Sequence, residues 1–229
     1  MISSLPLYIN AIFITTTLLS IFLFYKASKK SKNTLVLLFA WLIFQAALGL
    51  SGFYTITKSF PPRFALLALP ALLFIIALFI TANGKAYLDK LDAKALTILH
   101  IVRIPVELCL YWLFLHKAIP KLMTFEGRNF DIIAGLTAPL IFYFGYVKNA
   151  LNKKMLLLWN FICLGLLLNI VINAVLSAPS SFQQFAFDHP NTAILYFPFV
   201  WLPCCVVPLV LLAHLVCIKK LLINIPDQE

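Results

Sequence analysis

The chain has 229 residues, 62% of them hydrophobic and 11% charged, with a mean hydropathy of +0.97. Those proportions exclude an ordinary water-soluble domain and point to a polytopic membrane protein. The net charge of +10 does not imply nucleic-acid binding, because the positives sit in short connections between apolar runs, where they set orientation and meet anionic lipid head groups at the cytoplasmic face.

Runs of about 20 apolar residues, enough to cross the hydrocarbon core, fall near 5–25, 34–56, 64–83, 95–115, 131–147, 155–176 and 194–218. The expected fold is therefore all-α, a single seven-helix transmembrane bundle over residues 1–229. MISSLPLYIN carries no positive n-region and no cleavage pattern, so it reads as the start of a retained first span. Four connections, KASKKSKN, 84–94, 148–154 and the tail, hold twelve Lys and Arg; the N-terminus, 57–63, 116–130 and 177–193 hold five. That bias predicts the N-terminus outside and the C-terminus in the cytoplasm. No connection exceeds about 17 residues, so any activity resides in the bundle or at its rims.

The fourth span holds the densest chemistry, the run HIVRIPVE. An ionised side chain at mid-membrane costs about 2.5 to 3.5 kcal/mol on insertion scales, so such groups face a partner or a wet cavity. At 100° per residue, with His100 at zero, Arg103 lies at about −60°, Glu107 at about −20° and Tyr111 at about +20°, which makes one stripe. Pro105 cannot donate to the Ile101 carbonyl and predicts a break beside the charges. Arg103 and Glu107, four apart, would either serve a ligand or neutralise each other.

Glu126 and Asp131, in the loop EGRNFD that follows, read as loop solvation and a cap for the fifth helix. The sixth span adds Gly165, Asn169 and Asn173, a small and polar stripe on which Asn169 would either face Glu107 or bond a neighbouring helix. Asn160 points away from that stripe and reads as lying near the cytoplasmic surface. The segment SAPSSFQQFAFDHPN, residues 177–191, reads as an interfacial layer or a lid over the outer mouth.

The seventh span has prolines at 198, 203 and 208, and Pro203 and Pro208 would free the carbonyls of Phe199 and Cys204. It has no lysine within its apolar part, which excludes a retinal Schiff base. His100 and His214 fall at similar depth near the cytoplasmic side, so an alternative reading is a membrane cytochrome with one haem b between them as cofactor. A second pair, His116 with His189, fails on angle, since His116 lies about 160° round the helix from His100.

The five cysteines, Cys109, Cys163, Cys204, Cys205 and Cys217, lie in apolar runs without CxxC spacing, and no HxxxH, HExxH, GxSxG or GxGD motif occurs. No catalytic residue and no metal site are expected, and the balance leans away from an enzyme. The functional expectation is a membrane protein that binds a small ligand, ion or lipid, and in its fuller form transports it. Its pocket is built on Arg103 and Glu107 with His100, Tyr111, Asn169 and Asn173. A receptor or assembly subunit without chemistry is the remaining alternative.

Overall fold

The structure, a computed structural model, describes residues 2, 5–57, 59 and 62–223. The regular structure of the described chain is all helical, without strands. Nine α-helices follow in order: α1 Leu7–Ala27, α2 Lys32–Leu50, α3 Ala65–Ile80, α4 Ala82–Lys90, α5 Ala93–Leu99, α6 Arg103–Leu115, α7 Ile132–Phe142, α8 Lys153–Ser177 and α9 Val207–Ile223. A 3₁₀ turn, His100–Val102, joins α5 to α6, and π-helical segments extend α7 over Tyr143–Val147 and precede α9 over Leu202–Val206.

Among the described residues five continuous helical runs are long and apolar enough to cross a membrane: Leu7–Ala27, Lys32–Leu50, Ala93–Leu115, Lys153–Ser177 and Leu202–Ile223. The expected third span is a pair of helices, α3 and α4, bent by 93°; counting it as one span brings the number to six. The expected fifth, Ile132–Val147, is apolar but falls short of that length.

The bend has a local cause. Thr81 accepts the N–H of Gly84 as N-cap of α4 while its own hydroxyl donates to the Ala77 carbonyl, so one residue ends α3 and starts α4. A Cβ on Gly84 would lie 2.5 Å from the Leu78 Cα and carbonyl oxygen, so the corner closes only around glycine. Elsewhere Ser31, Asp92 and Asn152 cap α2, α5 and α8 through side-chain oxygens.

Helix α5 packs between α1 and α9, and α7 lies across the α5–α6 junction. Leu88, Leu91, Leu96, Leu99 and Val102 are fully or almost fully buried there. At this crossing Gly135 sets the spacing, because a Cβ on it would meet Ile104 at 2.9 Å and the Arg103 Cβ at 3.2 Å. Asp131 precedes Gly135 by four residues and so lies on the same face of α7, turned toward α6.

Candidate functional site: a buried polar core

The 3₁₀ turn falls beside Pro105, where the missing amide interrupts the helical ladder, and it delivers His100 and Arg103 into the centre of the bundle. His100 is 0% exposed, Arg103 2% and Glu107 2%. Arg103 Nε lies 3.2 Å from Asp131 Oδ2, where α7 begins. Glu107 is held by a different partner, Asn129, whose side-chain N–H group donates to both carboxylate oxygens at 2.6 and 2.7 Å and to the Met123 carbonyl at 3.1 Å. The Asn129 side-chain oxygen accepts the backbone N–H of Asp131 at 3.0 Å. One amide side chain thus holds the Glu107 carboxylate and, through the backbone, the residue that carries the second carboxylate.

Below this layer the rings of His100 and His214 stack, with centroids 3.9 Å apart and planes at 21°. Trp159 of α8 lies edge-on to His100 at 5.5 Å, and its indole N–H donates to the Thr137 hydroxyl at 2.9 Å. Asn160 donates through its amide to the Leu156 carbonyl, so its oxygen accepts from His214 Nδ1 at 3.0 Å. That bond assigns the His214 proton to Nδ1 and leaves Nε2 a bare acceptor. His214 Nε2, both nitrogens of His100, the guanidinium nitrogens of Arg103 and Asp131 Oδ1 are buried without an aligned hydrogen-bond partner. Buried polar atoms rarely stay in that condition, and here they gather in one place.

Of the residues expected from sequence, His100, Arg103, Glu107 and His214 meet in this core. Arg103 and Glu107 each have a partner other than the other. Tyr111 stacks on Phe125, 4.9 Å between centroids, at the rim. Asn169 is exposed and donates to the Arg128 carbonyl at 2.7 Å, while Asn173 turns back to Asn169. The expectation that Asn169 faces Glu107 is therefore corrected: its side chain fixes the loop that carries Asn129 and Asp131. Asn160, read as lying elsewhere, is buried against His214. The sequence places Asp131 as a cap, yet its side chain caps nothing and faces Arg103. Its legible signal was electrostatic: a buried guanidinium needs a counter-charge, and Asp131 stands at the start of the next apolar run.

For a haem, two axial imidazoles must stand on opposite faces of a porphyrin with one nitrogen each aimed at the iron. The His100 and His214 rings lie face to face at stacking distance and do not fit that arrangement. Among the described residues no cluster of three or more His, Cys, Asp or Glu has metal-binding geometry.

A family described as a domain of unknown function, DUF8737, matches residues 60–222, well over half of the chain. The chain belongs to that family. The matched segment contains every residue of the polar core and leaves α1, α2 and most of the connection from α2 to α3 outside it. No curated protein and no solved structure matches the chain.

Proposed function

We propose that this DUF8737 member is an integral membrane protein crossing the bilayer seven times, N-terminus outside and C-terminus cytoplasmic, and that it takes up a proton or a small monovalent cation at Glu107. Supporting the crossings, five helical runs have the length and apolar character of spans. The shorter pair, α3 and the run Ile132–Val147, would each be about 24 Å long at 1.5 Å per residue, a mismatch that a locally thinned bilayer accommodates. The orientation rests on the bias of twelve Lys and Arg against five in alternate connections, one of which, Lys58, lies outside the described residues.

The observation that carries the ligand reading is a charge imbalance. The buried core holds one guanidinium, Arg103, and two carboxylates, Glu107 and Asp131; all three are at most 5% exposed. A buried uncompensated charge is far costlier than a neutral or paired one, so the second carboxylate calls for a proton or a cation. Glu107 is the one that exchanges. Asp131 has Arg103 at ion-pair distance, whereas Glu107 rests on an uncharged amide that serves it in either state. His214 Nε2 and His100 supply acceptors on the side of the core toward the C-terminal end of α9, and Asn129 belongs to the loop at the opposite rim. Proton transfer through such ordered Glu and His side chains is a recurrent use of intramembrane ionisable groups.

Parent protein in liposomes, loaded with a pH-sensitive dye and held under a potassium diffusion potential, is expected to carry protons or sodium inward. Glu107→Gln is expected to lose that flux, while a rim control, Tyr111→Phe, keeps it. Equal flux in Glu107→Gln and parent would remove Glu107 from the mechanism.

A further inference from the structure

A second feature lies away from the polar core, between the first half of α2 and the face formed by α3, α9 and the π-helical segment before α9. Helix α2 buries only Leu42, Gln45 and Gly49, all in its second half. Its first half stands off, and the space behind it is a cavity of about 420 Å³. Leu38, Trp41, Ala71, Ile75, Cys205 and Leu209 are among its walls, so the interior is nearly all carbon. It opens sideways: Leu37 and Phe74 at its lips are 53% and 51% exposed. The volume falls within the range of small-molecule and lipid-chain sites.

One end is different. Asn33, Thr34 and Tyr87 close it, with the Thr34 and Tyr87 hydroxyls 3.1 Å apart. This end abuts the connection from α1 to α2, which carries Lys26, Lys29, Lys30 and Lys32. Among the described residues the acids of the same rim are engaged elsewhere: Asp89 accepts from Lys219 at 2.6 Å, and Asp92 caps α5. The groove is thus an apolar slot with a hydrogen-bonding neck and a positive mouth.

We infer that this slot is a binding site for one acyl chain of an anionic phospholipid, whose phosphate is held at the neck by Asn33, Thr34 and Tyr87 and by the lysines of residues 26–32. The apolar walls suit any hydrocarbon; the positive mouth selects the negative head group. A helix from a second copy would cover the lips but would bring no phosphate to the neck beside Lys30 and Lys32. Position favours lipid as well, because the mouth lies on the basic rim where juxtamembrane lysines meet anionic leaflets.

The test is native mass spectrometry of the full chain after detergent delipidation, with dioleoyl phosphatidylglycerol or dioleoyl phosphatidylcholine added back. The parent is expected to retain one phosphatidylglycerol with about tenfold preference over phosphatidylcholine. Ala71→Trp, which fills the slot, is expected to lose that adduct; if it does not purify as a single species, Leu38→Trp replaces it. Lys30→Glu with Lys32→Glu is expected to erase the preference for the anionic lipid. Equal retention of both lipids by the parent, retention unchanged in both slot-filling variants, or a dimer that those variants dissolve would each overturn the assignment.

Discussion

At the scale of single residues, the core is held by two separate carboxylate contacts rather than one ion pair within a helix. Removing one partner of a buried pair strands the other, at a cost of about 3 to 5 kcal/mol. Arg103→Ala and Asp131→Ala are each expected to lower the thermal midpoint in detergent by on the order of 10 °C, while Arg103→Met combined with Asp131→Leu recovers most of that loss. Additive losses in the double variant, read by thermal unfolding, would deny the pairing. Glu107→Gln should unfold close to the parent, since its carbonyl still accepts from Asn129; a loss as large as that of Arg103→Ala would mean that the charge of Glu107 is structural. The stripe HIVRIPVE was legible because burying ionisable groups is expensive and their 100° spacing put three of them together. Of their partners, Asp131 carried only the electrostatic signal of a counter-charge and Asn129 none, because the approach of their loop depends on Gly135, a packing contact with no trace in local pattern.

At the scale of elements, proline placement was the most transferable signal. Pro208 removes the donor that would meet the Cys204 carbonyl, and the structure supplies another: the Trp41 indole N–H donates to that oxygen at 2.9 Å. Trp201 similarly donates to the Leu42 carbonyl at 3.0 Å, so two indoles tie α2 to the segment before α9. Trp41→Phe is expected to cost about 1 kcal/mol in the parent, and less in a Pro208→Ala background where the backbone amide returns to compete for the same acceptor. Equal cost in both backgrounds, measured by a double-mutant cycle, would show that Trp41 acts through packing alone. The bend between α3 and α4 was not legible as a bend. A window of apolar residues records where hydrophobicity ends, whereas the 93° turn follows from Thr81 serving two helices and from the close approach at Gly84. Replacing Gly84 by leucine is expected to open that corner and lower the yield of folded protein, read by size-exclusion profile.

At the scale of the whole molecule, length and hydropathy identified the long apolar helices, since the need to satisfy every backbone group within lipid leaves helices as the simplest solution. The number of crossings is a finer matter, because two segments are shorter than a standard span. Cysteine-reactive labelling from either side, on a background lacking the five native cysteines, checks the proposed topology. Residues substituted at Ser31 and Asn152 are expected to label only from the cytoplasmic side, and those at Arg128 and Gln184 only from outside. Labelling of Asn152 and Gln184 from one side would reduce the crossings and bring down the topology.

The proposed function rests on one excess carboxylate within a core that otherwise pairs its charges, and infrared difference spectroscopy reads that carboxylate directly. Titrating the detergent-purified parent is expected to show a protonated carboxylic-acid carbonyl band that disappears in Glu107→Gln and is diminished by sodium or potassium. A spectrum with no such band and no response to either cation, identical in parent and Glu107→Gln, would contradict proton or cation uptake at Glu107.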